Sequence, residues 1–173
     1  MLYVLAVPEL DPATAARLGA FRARHEPHRA ALVPPHVTLV FGVAARFLPD
    51  VSRRLDAVSR EFGALPVAFD RPVTKFDPFE NKYKIFLLCG TGQGTVMAMH
   101  HALYDGPHRA EFSAAHPFKP HMTIATCDTR AAIDRVDVSD IGALPIAARL
   151  SALRLVRFED GRLETVKTAP LTG

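Results

Sequence analysis

Cysteine is scarce: the 173 residues hold two, Cys89 and Cys127. They form no CxxC pair and no disulfide framework, so a reducing compartment is the simplest setting. Charge of one sign is scarce as well. Lysine and arginine total 21 against 18 aspartate and glutamate, a net charge of +3 with the eight histidines neutral. That balance suits an anionic substrate and is too weak for a protein that wraps nucleic acid. Long hydrophobic runs are missing. The apolar start from Met1 to Val7 has no basic flank and stops at Pro8, too short for a signal peptide or a membrane span. A cytoplasmic chain without a membrane partner is the expectation. Linkers and low-complexity stretches are also missing. With 49% hydrophobic and 23% charged residues, the composition excludes disordered, collagen-like and coiled-coil chains. A chain this long buries roughly 70% of its unfolded surface and needs no staples.

What the chain does have is self-similarity. Tyr3-Val4-Leu5-Ala6-Val7 answers to Tyr83-Lys84-Ile85-Phe86-Leu87, and Pro27-His28-Arg29-Ala30 to Pro107-His108-Arg109-Ala110, both at an offset of 80. Pro35-His36-Val37-Thr38-Leu39 answers to Pro120-His121-Met122-Thr123-Ile124 at 85, and the Gly63–Ala68 block to Gly142–Ala147 at 79. Four blocks in register, with loop-sized changes of offset between them, indicate an internal repeat, about residues 1–77 and 82–158. Two copies are too few for a solenoid. One bilobal domain over residues 1–173 fits better, and a monomer is expected.

Each half reads as the same elements. Strands are expected at 2–7, 36–41, 65–69 and 72–76, with helices from Asp11-Pro12 to Arg24 and over 49–62, the latter stopped by Gly63. Residues 25–35 read as turns. The second half reads as strand 83–89, helix 94–105, loop 106–119, strand 121–126, helix 129–135, then strands at 144–149, 151–158 and 163–167. The fold class is α+β: two similar half-domains related by a pseudo-twofold axis. Each is an antiparallel sheet with helices on its outer face, and a central cleft lies between them.

The third repeated block carries the chemistry. On a strand, residues i and i+2 share a face. His36 therefore projects with Thr38, and His121 with Thr123, while Val37, Leu39, Phe41, Met122 and Ile124 turn to the core. A bare His-x-Thr is expected by chance about half a time in a chain with eight histidines and eleven threonines. Two copies, each after a proline and before an aliphatic residue, are far rarer. The plainer alternative is a pair of half-buried histidines capping strand ends in a duplicated scaffold.

Pro34-Pro35-His36-Val37-Thr38-Leu39-Val40-Phe41 and Phe118-Lys119-Pro120-His121-Met122-Thr123-Ile124-Ala125 resemble the paired His-x-Thr motifs of the two-histidine phosphoesterase superfamily. Within it, the chain is similar to the bacterial RNA 2′,3′-cyclic phosphodiesterases, historically called 2′-5′ RNA ligases. Members of that branch often carry arginine soon after the second motif, where this chain has Thr126-Cys127. The resemblance implies metal-independent opening of a cyclic phosphate on an RNA 3′ end or a nucleotide, without a cofactor. His36 and His121 would be the acid–base pair, and Thr38 and Thr123 the phosphate holders. An imidazole suits either role because its ordinary pKa of about 6.5 leaves both forms available near neutrality. Hydroxyls can donate to non-bridging oxygens as charge develops.

Weaker candidates for substrate binding are Lys119, Arg29 and Arg109 in the loops before each motif, and Tyr3 and Tyr83 on matching strands, where a ring could stack on a base. The loop from Gly106 to Lys119, five residues longer than its counterpart and holding His108, Arg109 and His116, could be a substrate-selecting flap. A metal site is the rival for eight histidines. His25/His28, His100/His101 and His116/His121 are close in sequence, but there is no HExxH and no cysteine at ligand spacing from a histidine, so no metal is expected. Gly90-Thr91-Gly92-Gln93-Gly94-Thr95 misses the dinucleotide fingerprint at its last position. Two further readings stay open: a non-catalytic module that binds nucleotides or RNA ends, and a 2′-5′ ligase activity running the same chemistry backward.

Overall fold

Local chemistry marks where the first helix begins. In a computed structural model describing residues 1–112 and 117–173, β1 (Leu2–Ala6) leads to α1 (Pro12–His25). Asp11 caps that helix by accepting from the Thr14 N–H at 3.0 Å, and Pro12 occupies its first turn. Then come α2 (Pro27–Leu32), β2 (Val37–Val43) and α3 (Leu48–Glu61), which buries Val51, Leu55 and Val58 at helical spacing. Gly63, just past α3, leaves room for the chain terminus: a Cβ there would lie 2.6 Å from the Gly173 carbonyl oxygen. β3 (Leu65–Asp77), β4 (Lys82–Cys89), α4 (Gln93–Leu103), β5 (His121–Cys127), α5 (Arg130–Ile133), β6 (Ile146–Leu150), β7 (Ala152–Glu159) and β8 (Arg162–Pro170) complete the order.

Three expectations change. The turn-rich stretch after α1 contains the short helix α2, which buries no residue and so has no apolar stripe to announce it. The two strands expected at 65–69 and 72–76 are one strand, β3, with a register shift between Phe69 and Arg71. The helix expected over 129–135 is a single turn, Arg130–Ile133.

The sheet has eight strands in the order β6-β3-β4-β5-β2-β1-β7-β8, and every neighbouring pair is antiparallel. Strands β5 and β2 meet through a single pair, Val37 with Met122. On one side of that seam stand β2, β1, β7 and β8, on the other β5, β4, β3 and β6. Each group therefore draws strands from both sides of the β3–β4 turn. The helices cross over in the same way: α1 packs on β5 and α4 on β2. One face of the sheet, with Leu2, Val4, Leu39, Val40, Leu87, Met122 and Ile124, forms the core with the helices.

The core face is set by even residues on β1 (Leu2, Val4, Ala6) and by odd residues on β4 (Ile85, Leu87, Cys89). The strand pairs agree: Val4–Val40 and Leu5–Thr38 correspond to Ile85–Ala125 and Phe86–Thr123. These strands thus match at an offset of 81, one residue from the sequence match, and one residue reverses the face.

Candidate active site

The seam brings the two motifs together. Val37 and Met122 face each other across it and are fully buried. Antiparallel pairing then sets His36 opposite Thr123 and Thr38 opposite His121, all four on the other face of the sheet and all half-buried. The two histidines stand on the diagonal, about 7–8 Å apart at Cα. Just after each threonine the strand carries a bulge: β2 between Thr38 and Val40, β5 between Thr123 and Ala125. Two successive residues turn inward at each, Leu39-Val40 and Ile124-Ala125. This overturns the expected position of Phe41, which is 45% exposed because the bulge shifts the alternation by one.

Each imidazole is oriented by the carbonyl two residues earlier. His36 Nδ1 lies 2.8 Å from the Pro34 oxygen and His121 Nδ1 lies 2.6 Å from the Lys119 oxygen. A carbonyl only accepts, so Nδ1–H donates in both and Nε2 is left to exchange protons. Pro35 and Pro120 keep the preceding chain extended, as that contact requires. Burial pushes the His36 pKa down to about 4, with the Arg22 and Arg29 guanidinium groups and His121 acting in the same direction against the Pro34 hydrogen bond. His121 is also lowered, first by burial and then by Lys84, while the Lys119 carbonyl and Asp77 oppose it. Burial thus disfavours the charged form of both rings in the unliganded protein. The Phe86 ring stacks on His121 at 3.9 Å and 32°.

A chain of alternating charges runs beside the pair. Arg22 donates from Nε to Glu26 and from Nη1 to the Val33 carbonyl at 2.9 Å. The Glu26 Oε2 lies 3.8 Å from Arg29 Nε, and Arg29 Nη2 donates to both Glu80 oxygens at 2.7 and 2.9 Å. Lys84, itself buried, reaches Glu80 at 2.8 Å and Asp77 at 2.6 Å. Thr126 contacts Glu26 at 3.5 Å. Among the described residues no three His, Cys, Asp or Glu side chains gather as a metal set.

A profile of the 2′-5′ RNA ligase superfamily matches residues 10–162. The chain belongs to that superfamily. No curated protein sequence matches the chain. Among solved structures, TT0787 of Thermus thermophilus is 20% identical, with a TM-score of 0.69 over 99% of this chain and 98% of that one. E. coli LigT complexed with 3′-AMP is 18% identical, with a TM-score of 0.60 and the same coverage. Kluyveromyces marxianus Usb1 is 12% identical, with a TM-score of 0.59 over 98% and 97% of the two chains. These likenesses show the fold.

In this member of the superfamily the weaker candidates part company. Arg29 lies in the charge chain beside His36. Tyr3 is on the same face as the motifs: burial raises its hydroxyl pKa, with Arg29 and Glu80 both close enough to act on it. Tyr83 is on the opposite face, against the core and 5.1 Å from Phe76; it cannot share a base with Tyr3, and its place beside the motifs is taken by Lys84. Arg109 sits in a 3₁₀ turn over Pro107–Glu111, exposed, 3.8 Å from Asp105, and is not brought to the motifs. Lys119 is exposed and borders a cavity of about 110 Å³ with Arg71 and Gln93. A larger hollow of about 670 Å³ over the β7–β8 hairpin touches no motif residue. His100 and His108 are buried, held by the Leu39 and Leu103 carbonyls at 2.6 and 2.7 Å. Of the expected flap, residues 113–116, His116 included, lie outside the described residues.

Arg22, Lys84, Phe86 and Arg71 were not singled out by sequence reasoning. Two left a signal: Arg22 continues the Leu18–Phe21 stripe of α1, and Lys84 interrupts an otherwise apolar run from Tyr83 to Cys89.

Proposed function

We propose that the chain hydrolyses a cyclic phosphodiester, a 2′,3′-cyclic phosphate on an RNA 3′ end or a nucleotide, without a metal. The observation that carries this reading is the pairing of two His-x-Thr motifs across one seam, both rings presenting Nε2. His36 Nε2 takes a proton from water as its oxygen attacks phosphorus. The bond from phosphorus to one ribose oxygen breaks, and that oxygen takes a proton from His121 Nε2. Thr38 and Thr123 donate to the non-bridging oxygens. The two imidazoles end in exchanged protonation states, which solvent resets.

His36 is assigned as base because burial, reinforced by the Arg22 and Arg29 guanidinium groups, holds it neutral. His121 is assigned as acid because, against burial and Lys84, the Lys119 carbonyl, Asp77 and the Phe86 face favour its protonated form. The anionic substrate supplies the rest of that bias. LigT, a structural relative, has been solved with 3′-AMP, phosphate, ATP and NADP+, which supports a nucleotide at this cleft. The superfamily's name favours a second reading, ligation, in which a ribose hydroxyl replaces water as the attacking group and the ring opens to a new phosphodiester. The same reading takes residues 1–173 as one two-lobed unit with halves 1–77 and 82–158, supported by partners at fixed offsets such as Val37 and Met122.

The test is ³¹P NMR of a 2′,3′-cyclic nucleotide and of an RNA oligomer ending in one, in EDTA, beside His36→Ala and His121→Ala. Turnover that survives chelator and collapses in both variants is expected, and the product resonance identifies the bond broken. Binding without turnover, with modest effects of either substitution, would make the protein a nucleotide-binding module instead.

A further inference from the structure

The cations around the two histidines are compensated unequally. Those acting on His36 are matched by carboxylates, Arg22 by Glu26 and Arg29 by Glu80, and Lys84 beside His121 is matched by Asp77 and Glu80. Further along the same face the balance fails. Leu88 pairs with His121 on one side and with Arg71 on the other, which puts Arg71 two strand spacings, about 10 Å, from His121. Between Arg71 and the loop carrying Lys119 and Pro120 lies the cavity of about 110 Å³, closed by Leu88, Cys89 and Gln93. Neither Arg71 nor Lys119 has a side-chain hydrogen bond or ion pair among the described residues. Asp70, the acid next in the chain, packs its carboxylate against Gly90 and does not line the cavity.

We propose that this cavity holds a second phosphate of the substrate, joined through a nucleoside to the phosphate at the histidines. Arg71, Lys119 and Gln93 line it and no carboxylate does, a set of groups suited to a phosphate monoanion or dianion. The position fits because Arg71 stands two strand spacings from His121, a separation that a nucleoside between two phosphates can bridge. The substrate class that follows is an oligonucleotide end or a nucleoside carrying a further phosphate, in preference to a bare cyclic nucleotide. This rests on the reading of the His36/His121 cleft as the phosphate site.

Calorimetric binding of 3′-AMP, adenosine 3′,5′-bisphosphate and the dinucleotide ApA with a 3′-phosphate tests it. At low salt, the wild-type protein is expected to bind at least one two-phosphate ligand about tenfold more tightly than 3′-AMP. Preference for the bisphosphate alone identifies a mononucleotide substrate, and preference for the dinucleotide identifies an RNA end. Arg71→Gln with Lys119→Gln brings the ratio close to one, whereas Arg162→Gln, which removes the same charge from the distant β7–β8 hairpin, leaves it. No preference in the wild type, no binding of any of the three, or a ratio unmoved by the double substitution overturns the proposal. Preference without turnover of any cyclic phosphate leaves the subsite standing and overturns the hydrolytic reading. Turnover without preference does the opposite.

Discussion

The Phe86 ring lies 3.9 Å from the His121 imidazole, tilted by 32°, and on the other motif Leu5 stands at the matching register. An aromatic face favours a cationic neighbour by about 0.5–2 kcal/mol, so this contact supports the protonated form of the histidine assigned as acid. Phe86→Leu, which copies the other half, is expected to lower kcat/KM about three- to tenfold. In the pH–rate profile the alkaline limb moves to lower pH. A uniform drop with an unmoved limb would show that Phe86 only packs.

Stability carries the signature of His36. The ring binds a proton near pH 6.5 when unfolded and near 4 when folded, so the folded state holds fewer protons between those values. Its contribution is present above pH 6.5 and is lost as pH falls toward 4. Urea midpoints at pH 7.5 and 4.5 are expected to differ more in the wild type than in His36→Gln. Equal differences would mean that the ring is not held neutral.

Arg22 and Glu26 are almost wholly buried, with 2% and 1% of their side chains exposed. Removing one partner strands a charge, at a cost of about 3–5 kcal/mol, whereas replacing both by apolar residues is close to neutral. Arg22→Met is therefore expected to be destabilised strongly and Arg22→Met/Glu26→Leu mildly, as chemical denaturation would report. The double variant also loses the Val33 anchor, one residue before the carbonyl that orients His36, so its kcat is expected to fall while its fold persists.

Glu80 is half-exposed and neutralises both Arg29 and Lys84. Glu80→Gln changes stability by less than about 1 kcal/mol but leaves the cleft more positive. KM for an anionic substrate is expected to fall severalfold at low ionic strength and to return to the wild-type value in high salt. A change that persists at high salt would point to altered shape instead of charge.

The motif strands and the longer helices were legible because their periodicity is strong. The α3 stripe of Val51, Leu55 and Val58 and the two Pro-His-x-Thr strands need nothing outside themselves. The single turn α5 and the buried-face-free α2 left no such trace. The tyrosine match failed for a sharper reason. Residue identity repeats at 80 while face repeats at 81, and only the strand register, Leu5 with Thr38 and Phe86 with Thr123, reveals the difference. The charge chain was hidden because it links helix, hairpin and strand, as from Arg29 to Glu80, 51 residues away.

The exchange of covers has a consequence for how the chain could be divided. With α1 lying over β5, α4 over β2, and β7 pairing with β1, a cut at the β3–β4 turn would part each sheet from its own lid. Neither piece would have an interior of its own. Mixed, the two would be expected to reassemble by completing one another, and the uncut chain to melt in a single cooperative step, a protein of two lobes with one thermodynamic identity.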